Sequence, residues 1–320
     1  MRVEELWTEV RDVLDGNYEH IFRAFIKDEP HKKAKADEGR WRLIIACALP
    51  VQMVWRMAFR LQNARLNEAC HEIPSKHGMV FCYGGWRRFL AEVDTKGLKV
   101  SRDISGWDIN SPGWVFDADL ELRTRLATDV NADWIRVTEW LYKDAFHTSK
   151  ILFSNGLVYE QCFSGFMKSG IFSTISTNGD AMYLMHGAAC VVAFEPITPF
   201  CATGDDVVQS SCSKDYKEAL ERLGCVVKEV IDGIEFMGSS FEGPGRAPVP
   251  LYFGKHVVSF AMKSEVVAEV LDAYARFYIH SPLEHHFWRS VAQEFNVPLR
   301  STAHYREWYD SPVARFAMKA

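Results

Sequence analysis

The sequence predicts an α+β fold: an antiparallel sheet with helices on one face and helical additions at both ends. Three observations predict it. Short apolar runs bounded by tight turns cluster in the middle of the chain. A long helical pattern precedes them, with Leu122, Leu126, Val130, Trp134, Val137 and Leu141 forming one apolar face. Further helical stripes follow a Gly/Pro-rich break at residues 242–250.

In chain order, residues 1–65 read as helical apart from a polar, turn-rich run at 28–39. Residues 98–104 alternate as a short strand carrying Asp103. The long helical pattern comes next. Gly165 and Gly170 then bracket a loop that leads into a Ser/Thr-rich segment. Residues 197–202 and 207–209 are two short strands joined by Gly204-Asp205-Asp206. Ser213 is a good N-cap, Tyr216, Leu220 and Leu223 form a stripe, and Gly224 stops that helix. Residues 226–231 and 234–236 read as a hairpin turning at Asp232-Gly233. Beyond the break, Val266, Val270, Tyr274 and Phe277 mark one helix, and the capping box Ser281-Pro282-Leu283-Glu284 opens another.

With 320 residues, 48% hydrophobic and 25% charged, the composition is that of a globular protein, not of a disordered or fibrous chain. Eight cysteines with no CxxC pair exclude a small disulfide-stapled scaffold and suit a reducing compartment. The polar, acidic amino terminus reads as neither signal nor transit peptide, and no apolar run reaches the ~20 residues of a membrane span. The net charge of -5 hides an asymmetry. Residues 27–102 hold 15 Lys+Arg against 8 Asp+Glu, and the remainder is acidic. A basic lobe beside an acidic one suits an enzyme that holds phosphates in one part and metal ions in another, although chance would also produce it.

Four segments carry candidate chemistry. Gly204-Asp205-Asp206 displays two carboxylates at a hairpin tip without a basic neighbour, an arrangement that a divalent cation relieves; alone it also fits a solvated turn. Asp103 ends a second short strand, with Asp108 five residues on, where Asp108 also fits a helix N-cap. If the two strands are neighbours, Asp103 and Asp205 can face a common pair of ions suited to in-line phosphoryl displacement. Lys27-Asp28-Glu29-Pro30-His31-Lys32-Lys33-Ala34-Lys35, followed by Arg40 and Arg42, offers guanidinium forks and point charges for phosphate oxygens, or a solvated loop. Ser169-Gly170 leads to Thr174 and Asn178 at one-turn spacing, a face able to hydrogen-bond a ribose hydroxyl or simply to cap a core helix.

In this order the four segments resemble the motifs of RNA-dependent RNA polymerases of positive-strand RNA viruses. The basic run looks like motif F, Asp103 to Asp108 like motif A, Ser169 to Asn178 like motif B, and Gly204-Asp205-Asp206 like motif C. The wording Glu29-Pro30-His31-Lys32, Gly39-Arg40-Trp41-Arg42-Leu43-Ile44 and Asp103-Ile104-Ser105-Gly106-Trp107-Asp108 is most similar to the sobemovirus and polerovirus lineage. The resemblance covers residues from about 20 to 245. It implies a right-hand polymerase fold of fingers, palm with antiparallel sheet, and helical thumb. Fingers with motif F would occupy residues 1–97 and the palm with motifs A to E residues 98–241. About residues 143–168 would be inserted toward the fingers, and the thumb would span 242–320.

The same resemblance implies metal binding at Asp103, Asp205 and Asp206, with two Mg²⁺ ions and Mn²⁺ as a substitute. It implies nucleotide contacts from Lys27, Lys35, Arg40, Arg42, Asp108, Ser169, Thr174 and Asn178. Lys228 matches the motif D lysine that protonates the leaving pyrophosphate, and equally fits an exposed strand residue. Phe236-Met237-Gly238-Ser239-Ser240-Phe241 resembles the primer-supporting motif E. The implied reaction is template-directed RNA synthesis for viral genome replication and transcription. Its partners are an RNA template, a nascent RNA strand and nucleoside triphosphates, together with upstream polyprotein segments or a protein primer. The expected location is the host cytoplasm, at membrane-associated replication sites reached through partners.

Relatives carry a longer fingers segment than the 26 residues ahead of Lys27, so truncated amino-terminal fingers are expected. That keeps open a catalytically incomplete, RNA-binding polymerase fragment. A reverse transcriptase is the other alternative, disfavoured by the Arg40-Trp41-Arg42 run and by Asn178. Cys70, His71, His77 and Cys82 match no standard zinc spacing and read as structural, and Trp86-Arg87-Arg88 is a weak candidate for RNA contact.

Overall fold

Extended backbone, rather than a continuous helix, governs residues 22–26 and 43–46. In the computed structural model, which describes residues 2–263 and 265–312, α1 (Val3–Leu14) precedes β1 (Phe22–Ile26), α2 (Lys33–Asp37) and β2 (Leu43–Ala46). The helical expectation for this stretch is thereby corrected. Phe22 and Ala24 are buried while Arg23 and Phe25 face outward, a period of two. Helix α3 (Leu49–Glu68) follows, then α4 (Gly85–Lys96), β3 (Val100–Ile104) and the short α5 (Trp107–Asn110).

The long apolar stripe divides into two helices, α6 (Gly113–Leu126) and α7 (Ala132–Phe146). The single helix expected from the pattern is broken because Asn131 caps α7, its side chain accepting from the Trp134 backbone N–H at 2.8 Å. Strands β4 (Lys150–Leu152) and β5 (Val158–Glu160) then join the amino-terminal strands in a sheet of order β2-β1-β4-β5. Residues after Phe146 thus pair with residues before Ala46.

Next come α8 (Thr174–Val192), β6 (Phe200–Thr203), β7 (Asp206–Gln209), α9 (Lys214–Arg222) and β8 (Val227–Asp232). Ser213 caps α9 as expected, accepting from the Tyr216 N–H at 3.0 Å. The central sheet runs β6-β7-β3-β8, antiparallel throughout. Its pleat sorts two cores. Ala202 and Val207 pack with Met182, Met185 and Tyr216 of α8 and α9, whereas Cys201 and Val208 pack with Phe89 and Val93 of α4. Helices therefore cover both faces, not one.

The expected hairpin at Asp232-Gly233 is also corrected. Strand β9 (Ile234–Phe236) leaves the central sheet and pairs with β10 (Ser239–Phe241), which in turn pairs with β11 (Val249–Pro250). Gly233, with φ +134°, makes the crossing, and its ends are tied to β3: its N–H donates to Lys99 O and its carbonyl accepts from Ser101 Oγ. Helices α10 (Phe253–Ala261), α11 (Val267–Phe277), α12 (Pro282–Glu294) and α13 (Thr302–Asp310) complete the described chain. Helix α12 starts with proline, but Ser281 makes no side-chain cap, so the capping box does not form. Trp86 is buried and donates to Asp310 Oδ1 at 2.9 Å, and Arg87 donates to Asp310 O, so this pair anchors α13, while Arg87 and Arg88 keep exposed faces.

One buried hub fixes α8. Arg123 of α6 is fully buried and donates to Asp119, Gln62, Asn63, Ser176, Thr177 and Asp180 at 3.0–3.4 Å. Tyr142 of α7 donates to Asp119 at 2.5 Å. The guanidinium fork is the side chain able to join this many acceptors on three helices at once.

Candidate active site

Gly204 and Asp205 form a two-residue turn between β6 and β7, closed by the Thr203–Asp206 pair. Gly204 has φ +62°, a conformation that suits glycine at the first position of such a turn. Strand β3 lies beside β7 with Arg102 opposite Val207, so the register carries Asp103 to the same end of the sheet as Asp205 and Asp206. On the other side of β3, the ladder to β8 shifts between Asp103 and Ile104. Asp103 pairs with Glu229 and Ile104 with Val227, leaving Lys228 as the extra residue of a bulge. That bulge aims the ammonium of Lys228 at Asp103 Oδ2, with which it bonds.

The carboxylates disturb one another. Burial between the cleft walls raises Asp206 to about 6, and Asp205 and Asp103 add to the rise against a Met237 backbone N–H. Asp205 is also raised, first by burial and then by Asp103, while its own backbone N–H and Arg42 pull it down. Asp108, on α5, is raised by burial and by Asp205, and lowered by Arg42 and Lys27. Each of the three nevertheless keeps a face open to solvent. These groups thus belong to one electrostatic cluster, with cations of the basic run at its edge. Among the described residues no three Asp, Glu, His or Cys side chains close into a ready-made metal cage, and Asp103 is turned to Lys228. Mutual repulsion and an open solvent face are what oxygen-liganded divalent cations require, so the donor set fits Mg²⁺ or Mn²⁺.

The basic run is organised by a residue the sequence reading passed over. Glu29 accepts from Arg42 at 2.6 Å and from Lys255 of α10 at 3.1 Å, with Lys27 at 3.3 Å. Burial alone would raise Glu29, but the bond to Lys255 and the charges of Arg42, Lys255 and Lys27 hold it down to about 2. Lys27 and Arg42 are also joined through their backbones, Lys27 N–H donating to Arg42 O at 2.8 Å. Lys35, on α2, and Arg40, just beyond it, stand exposed, Arg40 paired with Glu38, so the structure gathers only Lys27 and Arg42 to the carboxylates.

The Ser169-Gly170 loop docks on the edge of β2. Ser169 Oγ accepts from the Ile45 N–H at 3.3 Å, and the Gly170 N–H donates to Ile45 O at 3.0 Å. A Cβ at Gly170 would meet that carbonyl oxygen at 2.4 Å, so only glycine fits. Thr174 opens α8 and turns its hydroxyl back to the carbonyls of Lys168, Ser169 and Ile171 at 2.8–3.2 Å, so it shapes the loop. Asn178, one turn on, accepts from the indole Nε1 of Trp107 at 2.9 Å.

The family model for viral RNA-dependent RNA polymerase matches residues 15–232. The chain belongs to that family. It is 32% identical over 244 residues to protein P1-P2 of Turnip yellows virus, covering 70% of this chain and 22% of that one. It is 30% identical over 251 residues to the RNA-directed RNA polymerase of Mushroom bacilliform virus, covering 74% of this chain and 59% of that one. With replicase polyprotein P2AB of Southern bean mosaic virus the figures are 32% over 239 residues, 70% and 24%. The RNA-dependent RNA polymerase 3Dpol of a sicinivirus superposes with a TM-score of 0.76 at 16% identity, covering 97% of this chain and 71% of that one, a likeness of fold. The expected lineage and the right-hand polymerase fold both hold. The chain spans about a quarter of the length of the polyprotein relatives and well over half of the mushroom virus polymerase.

The segments 103–108 and 204–206 share one end of the central sheet, and segment 169–178 is bonded to Ile45 at one end and to Trp107 at the other. Sequence reading missed Glu29, Lys255 and the Trp107–Asn178 bond. Glu29 carried a signal, an acid inside a basic run; Lys255 lies 226 residues from its partner and carried none. Among the described residues no helix is long and apolar enough to cross a membrane.

Proposed function

We propose that this chain catalyses template-directed RNA synthesis, joining a nucleoside triphosphate to the 3'-hydroxyl of an RNA strand as a viral replication and transcription enzyme. The observation that carries the reading is the convergence of Asp103, Asp205 and Asp206 at one end of the palm sheet, with Lys27 and Arg42 facing them. Asp103, Asp205 and Asp206 would hold two Mg²⁺ ions, with Mn²⁺ as a substitute; such a pair, when bound, neutralises charge at the attacking and leaving oxygens.

The protein's own residues supply position and charge. Lys27 and Arg42, held at a fixed spacing by Glu29, meet the triphosphate, and the preset cations avoid reorganisation during the reaction. The 3'-hydroxyl gives its proton to water, its oxygen forms a bond to the α-phosphorus, and the bond from that phosphorus to the α,β-bridging oxygen breaks, releasing pyrophosphate. Lys228 stays protonated through its bond to Asp103, which raises it, and donates that proton to the leaving group. Asp108 and Asn178 contact the sugar, and Ser169 and Thr174 shape the loop beneath it. The RNA template and nascent strand occupy the cleft, and upstream polyprotein segments or a protein primer are further partners.

Primer extension by the purified chain tests this, with Mg²⁺ and a primed RNA template. Asp205→Asn is expected to lower incorporation by ~10²–10³-fold while leaving the fold intact. Undiminished incorporation by that variant would remove the assigned role. RNA binding without any extension by the unaltered chain would instead favour the incomplete polymerase fragment.

A further inference from the structure

The bond between Trp107 and Asn178 joins motifs A and B across 71 residues of sequence. Trp107 is 2% exposed and sits in the main core; Asn178 is 6% exposed on the second turn of α8. Neighbouring backbone bonds hold the same seam: Met167 N–H donates to Asp108 O at 2.7 Å and Phe166 N–H to Ser111 O at 3.1 Å. Trp107 is therefore a fixed point, and it lies next to Asp108, which feels the charge of Asp205.

An indole N–H only donates, so the amide atom facing it must be the carbonyl oxygen Oδ1. That removes the two-fold ambiguity of an asparagine side chain. The Nδ2 group, with no hydrogen-bond partner among the described residues, is left as the free end of the amide. We propose that Trp107 is a positioning residue for sugar selection: its N–H locks the Asn178 amide so that Nδ2 is always offered as a donor. A 2'-hydroxyl meets that donor with an acceptor oxygen and can donate its own hydrogen bond to Asp108, whereas a 2'-deoxy sugar offers the amide no acceptor. Without the indole N–H the amide can rotate, and half of its orientations offer the wrong atom. The inference rests on the reading of Asn178 as a sugar contact in RNA synthesis.

The test is the ratio of kcat/KM for a ribonucleoside triphosphate to that for its 2'-deoxy analogue, measured by single-nucleotide primer extension. Trp107→Phe is expected to lower this ratio by ~10-fold, the factor carried by one well-placed hydrogen bond. Because Phe leaves a gap in the core, a second protein carries 3-benzothienylalanine at position 107, which keeps the indole shape and replaces N–H by sulfur. It should lower the ratio equally. Asn178→Ala should also lower the ratio, and adding Trp107→Phe to it should lower the ratio no further. A purely structural tryptophan would slow both nucleotides equally and leave the ratio unchanged in every background, and that result overturns the proposal. Ribonucleotide incorporation by the unaltered chain is the control: none at all overturns the polymerase reading and this inference with it, while incorporation with an unmoved ratio overturns this inference alone.

Discussion

Two clusters of carboxylates stand within one molecule, and they are built on opposite terms. Around Arg123, two aspartates share a fully buried guanidinium that also reaches two buried hydroxyls and two half-buried amides. Around Asp205, three carboxylates keep a face open to water, and the exposed Lys228 bonds only Asp103 among them. The first cluster is closed and holds α6, α7 and α8 in place. The second is short of positive charge and therefore receptive to cations. The difference shows that carboxylate grouping by itself does not distinguish a structural site from a reactive one; the availability of partners does.

The most severe way to test this contrast is to open the closed cluster. Arg123→Met leaves Asp119 and Asp180 buried without their cation and should cost about 3–5 kcal/mol of folding stability, read by denaturant melts. A loss under ~1 kcal/mol would mean the hub is dispensable and the contrast misplaced.

The open cluster should respond in the reverse direction. Asp206 is raised to about 6, so its ionised form is disfavoured in the folded chain. For a carboxylate with a raised folded value, stability falls as pH climbs from the unfolded value near 4 through 6 and then levels off. Asp206→Asn should therefore melt a few degrees higher than the unaltered chain at pH 7.5 without metal, and no higher at pH 4. An equal shift at both values would show that packing, not repulsion, governs the position.

The smallest effect belongs to Glu29, which is held down to about 2 by cations rather than pushed up by neighbours. Its stabilisation is present above about pH 4.5 and disappears as pH falls toward 2. Acid titration of Glu29→Gln, followed by fluorescence, should lack the part of the transition that lies in that window and otherwise match. An unchanged acid profile would place the cations' anchor elsewhere.

Local patterning made part of this legible. Asp103, Asp205 and Asp206 could be read because short strands and a glycine turn expose them wherever the strands pair. The gap between α6 and α7 could not, because Val130 keeps the apolar stripe in phase across the break and only Asn131 hints at a new cap. Asp232-Gly233 misled for a related reason: a dipeptide that favours a turn does not say whether the next strand returns to the same sheet. Lys35 and Arg40 group with Lys27 and Arg42 by proximity in sequence, but the intervening segment, with α2, stands out in solvent. The Trp107–Asn178 and Glu29–Lys255 contacts depend on how distant elements dock, which no local spacing encodes.

The bridge from Glu29 to Lys255 carries a consequence for traffic through the cleft. It ties the segment between β1 and β2 to helix α10, the first helix after the small β9–β11 sheet, joining parts of the chain 226 residues apart. A lone lysine–glutamate clasp with a half-exposed ammonium is worth at most about 1 kcal/mol and weakens with salt. Such a link opens on thermal energy alone, so the two segments can part and rejoin at the mouth of the site without unfolding anything.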